Sequence, residues 1–496
     1  MAKKAVIIGS GFGGLSAAAL LAKEGFEVRV LEKNEGPGGR SSVYSEQGYT
    51  FDMGPSWYLM PDVYERFFAG FGKKPSDLFE LKKLDPSYRI HFGNRKVADI
   101  SPDLAKNLAL FDSLEPGGGE RLKDYLESAR EKYDLSVNEL LYRDYRSILD
   151  FLSGRLILEG RKLHVFESLD SFVSKHFESD EAKKIVEYSI GFLGGSPKNT
   201  PSFYHIMSHI DLTLGVFYPV GGMRKLVRAM QELAESYGAV FRFNEPVTRI
   251  VVEGKEATGV VTSQGVYDAD LVLVNADYAF AELSLVDDQH RTYDQAYWES
   301  RVMAPSAIVM YVGINKQVEA LSHHTLFLDK NWDQNFEEIF DPALARWPEH
   351  PSYYVNVPSR TDPTAAPPGC DTLFILVALA PGLEDSPEIR ENFYQKIMDH
   401  LEATTGENIR DAVEVKRIFA LNDFRDRYNA YKGTALGLSH TLFQTALWRP
   451  AHQSKHVRNL YYSGHYTHPG IGVPMTLISS TIVAREIRNK YSPQDT

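Results

Sequence analysis

Gly9, Gly11 and Gly14 stand between an apolar run and a small-residue helix in "VIIGSGFGGLSAAALLAKEGFEVRVLEK", residues 6–33. A strand, then G-x-G-x-x-G, then a helix is the context in which glycines cradle the pyrophosphate of a dinucleotide. Gly9 permits the tight turn and Gly11 lets backbone approach the phosphates. Gly14 lets the helix pack on the strand, while the helix N-terminus faces the negative charge. Glu32 closes the next apolar run. A carboxylate there accepts a ribose 2′-hydroxyl and repels a 2′-phosphate, which disfavours NADP and leaves NAD and FAD open.

A second set lies near the other end, in "NLYYSGHYTHPGIGVPMTLISS", residues 459–480. Gly464 follows a strand-like run, Gly470 and Gly472 let backbone approach a flat ligand, and Pro474 suits a first helical turn. The amides of Val473 and Met475 then belong to a helix N-terminus, whose partial positive charge stabilises an anion. His465 and His468 sit in this glycine-rich turn without a third ligand at metal-site spacing, so no metal is expected. Nucleophile elbow, P-loop, H-E-x-x-H and C-x-x-C signatures are absent. The acidic pairs Asp287–Asp288 and Glu337–Glu338 read as solvated surface, and no general acid or base is assigned.

The elements that must position these groups are legible as apolar patterns. Residues 5–9 and 27–33 read as parallel strands around a helix at 15–25. Helical spacing fills 120–142, a helix covers 221–238, and short strands alternate to residue 277. Apolar strands follow at 306–314 and 371–379, a helix near 385–404, a strand at 459–464 and a helix after Pro474. The expected fold is α/β. Residues 1–80, 220–285 and 455–496 form a discontinuous Rossmann-type dinucleotide domain, and 81–219 with 286–454 form an inserted α+β substrate domain.

With 496 residues, a net charge of −12 and 43% hydrophobic residues, the chain is an ordinary multi-domain globular protein and a poor nucleic-acid binder. One cysteine, Cys370, and no signal peptide or apolar span lead to an expected cytoplasmic location.

The stretch after the glycine loop narrows the reading. "LEK" at 31–33, "GGR" at 38–40 and "FDMGPS" at 51–56 resemble the extended fingerprint of the flavin amine oxidase and carotenoid desaturase superfamily. "GVFYPVGGMRKL" (215–226), "PVTRIVVEGKEATGVV" (246–261), "VNAD" (274–277) and the 459–480 segment resemble bacterial-type phytoene desaturases in particular. His465, Tyr466 and Met475 are larger than the residues many such enzymes carry there. The resemblance implies FAD, held by Lys33, Gly39, Arg40, Gly54, Pro55 and Ser56 in addition to Gly9, Gly11, Gly14 and Glu32. It places the Val247 backbone at the adenine, Asn275 near the adenosine or pyrophosphate, and Gly464, Gly472, Val473 and Met475 at the flavin. It implies hydride transfer from a carbon flanking a C=C unit to flavin N5 and loss of a proton from its neighbour, extending conjugation, with phytoene as the leading substrate and oxygen or a quinone as final acceptor. Such a substrate lives in lipid, so peripheral contact with a membrane surface is expected. The basic, apolar segment 143–162 is the candidate patch. A carotenoid isomerase or an amine oxidase of the same superfamily, and a flavin-free prenyl-protein escort, are the alternatives.

Overall fold

The computed structural model describes residues 2–93, 95–145, 167–328 and 331–491. Of the candidate membrane segment 143–162, all but residues 143–145 lie outside the described residues.

A five-stranded parallel sheet takes its strands from three distant parts of the chain. The order across it is Leu460–Tyr462, Leu271–Val274, Lys4–Ile8, Glu27–Leu31, Val240–Arg242. Both faces are covered, which is why "KAVII" is apolar almost throughout. Ala5 and Ile7 face the helices Phe12–Lys23, Met223–Ser236 and Val473–Tyr491. Val6 and Ile8 face an antiparallel layer formed by Val247–Glu253, Glu256–Thr262 and Gly265–Asp268. The helices Phe12–Lys23 and Val473–Tyr491 touch through small residues, with the Ser16 and Ser480 hydroxyls hydrogen-bonded in the core.

A second, seven-stranded sheet is mostly antiparallel. Its order is Val413–Phe419, Ser306–Ile314, Asp371–Leu379, Tyr353–Asn356, His324–Leu328, Tyr88–Phe92, Val97–Ile100. Every residue of Ser306–Ile314 is buried: one face packs on the helix Pro387–Thr405, and the other sets Tyr311 against Tyr44 and Phe51 and turns Ala307 and Val309 to an internal cavity. The apolar runs at 306–314 and 371–379 are strands over those same residues. Glu338 departs from the sequence reading. It is buried, and its carboxylate accepts Arg346 and Gln334, so the surface assignment of that pair holds only outside Glu338.

The glycine loop is where the parallel sheet is tightest. Gly9 adopts φ +95° and donates its N–H to Leu31 O at 2.8 Å. A Cβ on Gly14 would fall 2.0 Å from the Gly9 carbonyl oxygen, so the helix can start here only on a glycine. Gly14→Ala should therefore cost about 1–3 kcal/mol in urea denaturation, the scale of an overpacked core site. Gly36→Ala, whose Cβ would meet nothing within 4 Å, should stay within about 0.5 kcal/mol of the parent. Equal midpoints for the two variants would contradict the close packing.

Candidate functional site

One cavity of about 1360 Å³ opens between the glycine loop, the 464–476 turn and the seven-stranded sheet. Gly9, Gly11, Glu32, Lys33, Gly39, Arg40, Gly54, Pro55, Ser56, Val247, Asn275, Gly464, Gly472, Val473 and Met475 all line it. Gly14 does not, since it sits behind Gly9 and acts through packing.

At the glycine-rich end the wall is polar and close-built. Gly38 donates to Ser10 O at 2.8 Å, and a Cβ on Gly39 would lie 3.3 Å from Gly11 Cα. The "GGR" turn thus rests directly on the glycine loop. Gly54 is held as tightly, with its missing Cβ 2.3 Å from Arg40 O. Asn275 Nδ2 donates to Ser463 O at 2.9 Å and its backbone N–H to Ile8 O at 2.8 Å, tying the loop to the C-terminal turn. Glu32 is buried: Oε2 accepts the N–H and hydroxyl of Ser10, and Oε1 accepts the N–H and Nδ2 of Asn34. Lys33 donates to Asp426 O at 2.6 Å and Asn429 Oδ1 at 3.0 Å, and burial lowers its pKa. Its ammonium therefore anchors the 426–429 loop. The Ser56 hydroxyl is shared with Tyr354 at 2.8 Å. Asp52, in the same "FDMGPS" run, accepts the N–H groups of Met223 and Arg224 and so caps the helix Met223–Ser236.

Arg40 has a different situation. Its Nε and Nη2 are buried without an acceptor, and its guanidinium lies over the Tyr428 ring, 5.5 Å from the centroid. A half-buried cation with two unspent buried donors beside an open cavity fits an anionic ligand. The helix starting at Val473 adds to this, because first-turn amides have no carbonyl one turn back. The donor set and the backbone cradle together fit a dinucleotide whose pyrophosphate lies against the glycine loop.

The other end is apolar, lined by Leu140, Leu193, Phe203, Ile206, Val309, Phe374 and Leu376 among others. Its histidines are uncharged near neutrality. Burial pushes His440 and His465 well below the ordinary imidazole value and His468 down to about 3. His468 Nε2 faces Leu141 O at 3.1 Å, so this ring packs and bonds as a neutral group.

Two charged residues were not singled out from sequence. Arg449 is buried, yet its partners are four carbonyls: Tyr466, Gln444, Leu438 and His465. It holds the C-terminal turn against the 438–444 loop. Asp277 lines the cavity and accepts the Tyr466 hydroxyl at 2.8 Å; burial raises its pKa, opposed mainly by Arg40. The quoted "VNAD" contained it; nothing in the sequence marked Arg449, because backbone carbonyls have no residue code.

The flavin containing amine oxidoreductase family model matches residues 12–488. The chain is 45% identical to a carotenoid 3,4-desaturase from Haloarcula japonica over 97% of each chain. It is 32% identical to a zeta-carotene-forming phytoene desaturase from Myxococcus xanthus, over 98% of this chain and 94% of that one. Among solved structures, an oxidoreductase from Methanosarcina mazei superposes with a TM-score of 0.63 at 18% identity, covering 97% of this chain and all of the other.

Behind the apolar wall, burial pushes the Asp211 carboxyl up to about 7 from 3.8, although Tyr88 and Tyr188 donate to it. The folded state then holds a proton that the unfolded chain has released between about pH 4 and 7. Stability should fall as pH rises through that window, by up to roughly 1.4 kcal/mol per unit. Asp211→Asn should remove that slope and exceed the parent's stability above pH 7 in urea titrations. An unchanged slope would contradict this.

Proposed function

The chain belongs to the flavin-containing amine oxidoreductase family and, within it, to the carotenoid desaturases; its cofactor is FAD, its reaction oxidises CH–CH groups, and from that premise we propose how this cavity does so. FAD lies extended from the glycine loop to the 464–476 turn. Gly9 and Gly11 take the pyrophosphate, with Gly39, Arg40 and Asn275 beside it. Glu32 meets the ribose and the Val247 backbone meets the adenine. Gly54, Pro55 and Ser56 flank the middle, with Lys33 bracing the wall. Gly464, Gly472, Val473 and Met475 surround the pyrimidine end of the flavin. In this reading residues 1–80, 220–285 and 455–496 form the FAD domain, and 81–219 with 286–454 cover it with the substrate domain.

When bound, the flavin would supply the acceptor for a hydride leaving one polyene carbon, while the neighbouring carbon gives up a proton that passes to the medium, so that one C=C bond forms and two electrons go to the flavin. The protein's contribution is to hold that carbon close and keep water away. The apolar wall does both, and burial keeps the histidines in it uncharged. The observation that carries the reading is the shape of the lining: one cavity, polar and backbone-rich where a dinucleotide needs it, hydrocarbon-like where a carotenoid would lie. Phytoene is the leading substrate. The 45% identity to a 3,4-desaturase favours a second reading, oxidation of an already conjugated chain at that bond.

The substrate's home in lipid calls for contact with a membrane surface. Phe443 and Trp448 support a contact point here: they are 69% and 44% exposed, pack edge to face at 6.0 Å, and border the cavity. Among the described residues, no helix is long and apolar enough to cross a bilayer. Oxygen or a quinone takes the electrons afterwards.

Incubation of the FAD-loaded enzyme with liposomes carrying phytoene, or a preformed conjugated carotenoid, tests the reading. Longer-wavelength absorption should develop from one of them, under air or under nitrogen with a quinone. Gly11→Val, whose side chain would fill the backbone's approach to the phosphates, should lose bound FAD and this activity together. Wild-type flavin content in that variant would refute the pyrophosphate placement. Burying one aromatic ring is worth about 1.5–3 kcal/mol. Phe443→Ser with Trp448→Ser should accordingly weaken liposome co-sedimentation at least ten-fold without changing FAD content; sedimentation like the parent would remove this pair from the membrane contact.

A further inference from the structure

The apolar end of the cavity contains one hydroxyl whose hydrogen-bond direction is fixed by its neighbours. Tyr204 lines the cavity, and its oxygen lies 2.7 Å from His440 Nδ1. The opposite ring nitrogen, Nε2, accepts the backbone N–H of Ile471 at 3.1 Å. A nitrogen that accepts an N–H carries no proton, so in a neutral imidazole the proton is on Nδ1. If Tyr204 also donated to the ring, both nitrogens would be acceptors and the ring would be an imidazolate. Nδ1–H must therefore donate to the Tyr204 oxygen. The arrangement is built in: His440 is buried, and Gly470, at φ +128°, makes room for it, since a Cβ there would fall 2.3 Å from Nε2.

The hydroxyl proton of Tyr204 is then left over. Among the described residues none accepts it. A phenol that accepts a hydrogen bond from one side is a better donor on the other, because the two bonds polarise each other. We infer that Tyr204, set by His440, is the hydrogen-bond donor this cavity reserves for an oxygen or nitrogen acceptor on its ligand. Two sources carry that chemistry. One is the heteroatom edge of the flavin, whose expected turn includes Ile471, the residue that orients His440. The other is an oxygen on the polyene, which an all-hydrocarbon chain lacks. In the second case Tyr204 determines which carotenoids are preferred. The inference rests on the cavity holding flavin and polyene as proposed above.

Tyr204→Phe in the FAD-loaded enzyme keeps the ring and removes only the donor. Two readouts separate the sources: the visible spectrum and reduction potential of the bound flavin, and the ratio of kcat/KM for a C40 polyene carrying one terminal hydroxyl to that for the same chain without it. A shifted spectrum and potential assign the bond to the flavin. A drop of about ten-fold in the ratio, the worth of one buried hydrogen bond, assigns it to the substrate. His440→Leu, which removes the group that orients the phenol, should move the same readout in the same direction, and it serves if Tyr204→Phe does not fold. Unchanged spectrum, potential and ratio in a folded variant would overturn the inference. If the parent enzyme turned over neither chain, the proposed function would fail, and the flavin readout alone would decide the role of Tyr204.

Discussion

Guanidinium nitrogens buried without an acceptor are costly to fold around, and half-buried Arg40 has two, Nε and Nη2. Removing a charge from water costs several kcal/mol that only a well-placed counter-charge offsets. Asp277 supplies part of the compensation within the wall, and it is itself tied to Tyr466. The remainder is left for a ligand, and the surrounding construction follows from keeping that space open. The "GGR" turn sits on the glycine loop, Gly54 backs onto the Arg40 carbonyl, and Asn275 joins the loop to the C-terminal turn. The two glycine contacts are between backbones and the third uses only the short Asn275 amide, so the anion site is held without long side chains intruding on it.

The same cavity must also accept a hydrocarbon, and the two demands conflict. A charged pyrophosphate wants donors, whereas a carotenoid wants none. The fold separates them along one axis, with cationic and amide groups at the glycine loop and apolar side chains where the second sheet forms the wall. Several of the polar groups at the apolar end bond to protein, leaving the Tyr204 O–H for a ligand. Arg449 gives its N–H groups to four carbonyls, and His440 bridges Tyr204 and Ile471.

Much of this was legible in the chain. Glycine spacing with strand and helix context marked the loop, and unbroken apolar runs marked the strands at 306–314 and 371–379, because a strand buried on both faces has no polar side to hide. The order of the strands in the second sheet was not legible, since pairing depends on partners hundreds of residues away. Tyr204 and His440 escaped notice for the same reason: their meaning is a direction of one hydrogen bond, and it needs Ile471 as well. Arg449 carries no signal in the sequence because its partners are backbone atoms. Nothing in the sequence sets Phe443 and Trp448 apart from the core aromatics; only their exposure in the fold does. Glu338 shows the reverse error, an acid that looked solvated but is buried against Arg346.

The central claim is that a carotenoid in the apolar half reduces a flavin whose ring lies beside it at the 464–476 turn. Anaerobic mixing of the FAD-loaded enzyme with equimolar polyene in liposomes tests it within one turnover, with no external acceptor present. The account predicts that the visible flavin absorption bleaches while absorption of a longer conjugated chain appears at the same rate and in equal amount. A lengthened polyene without flavin bleaching, or a flavin that stays oxidised beside every carotenoid offered, would contradict it.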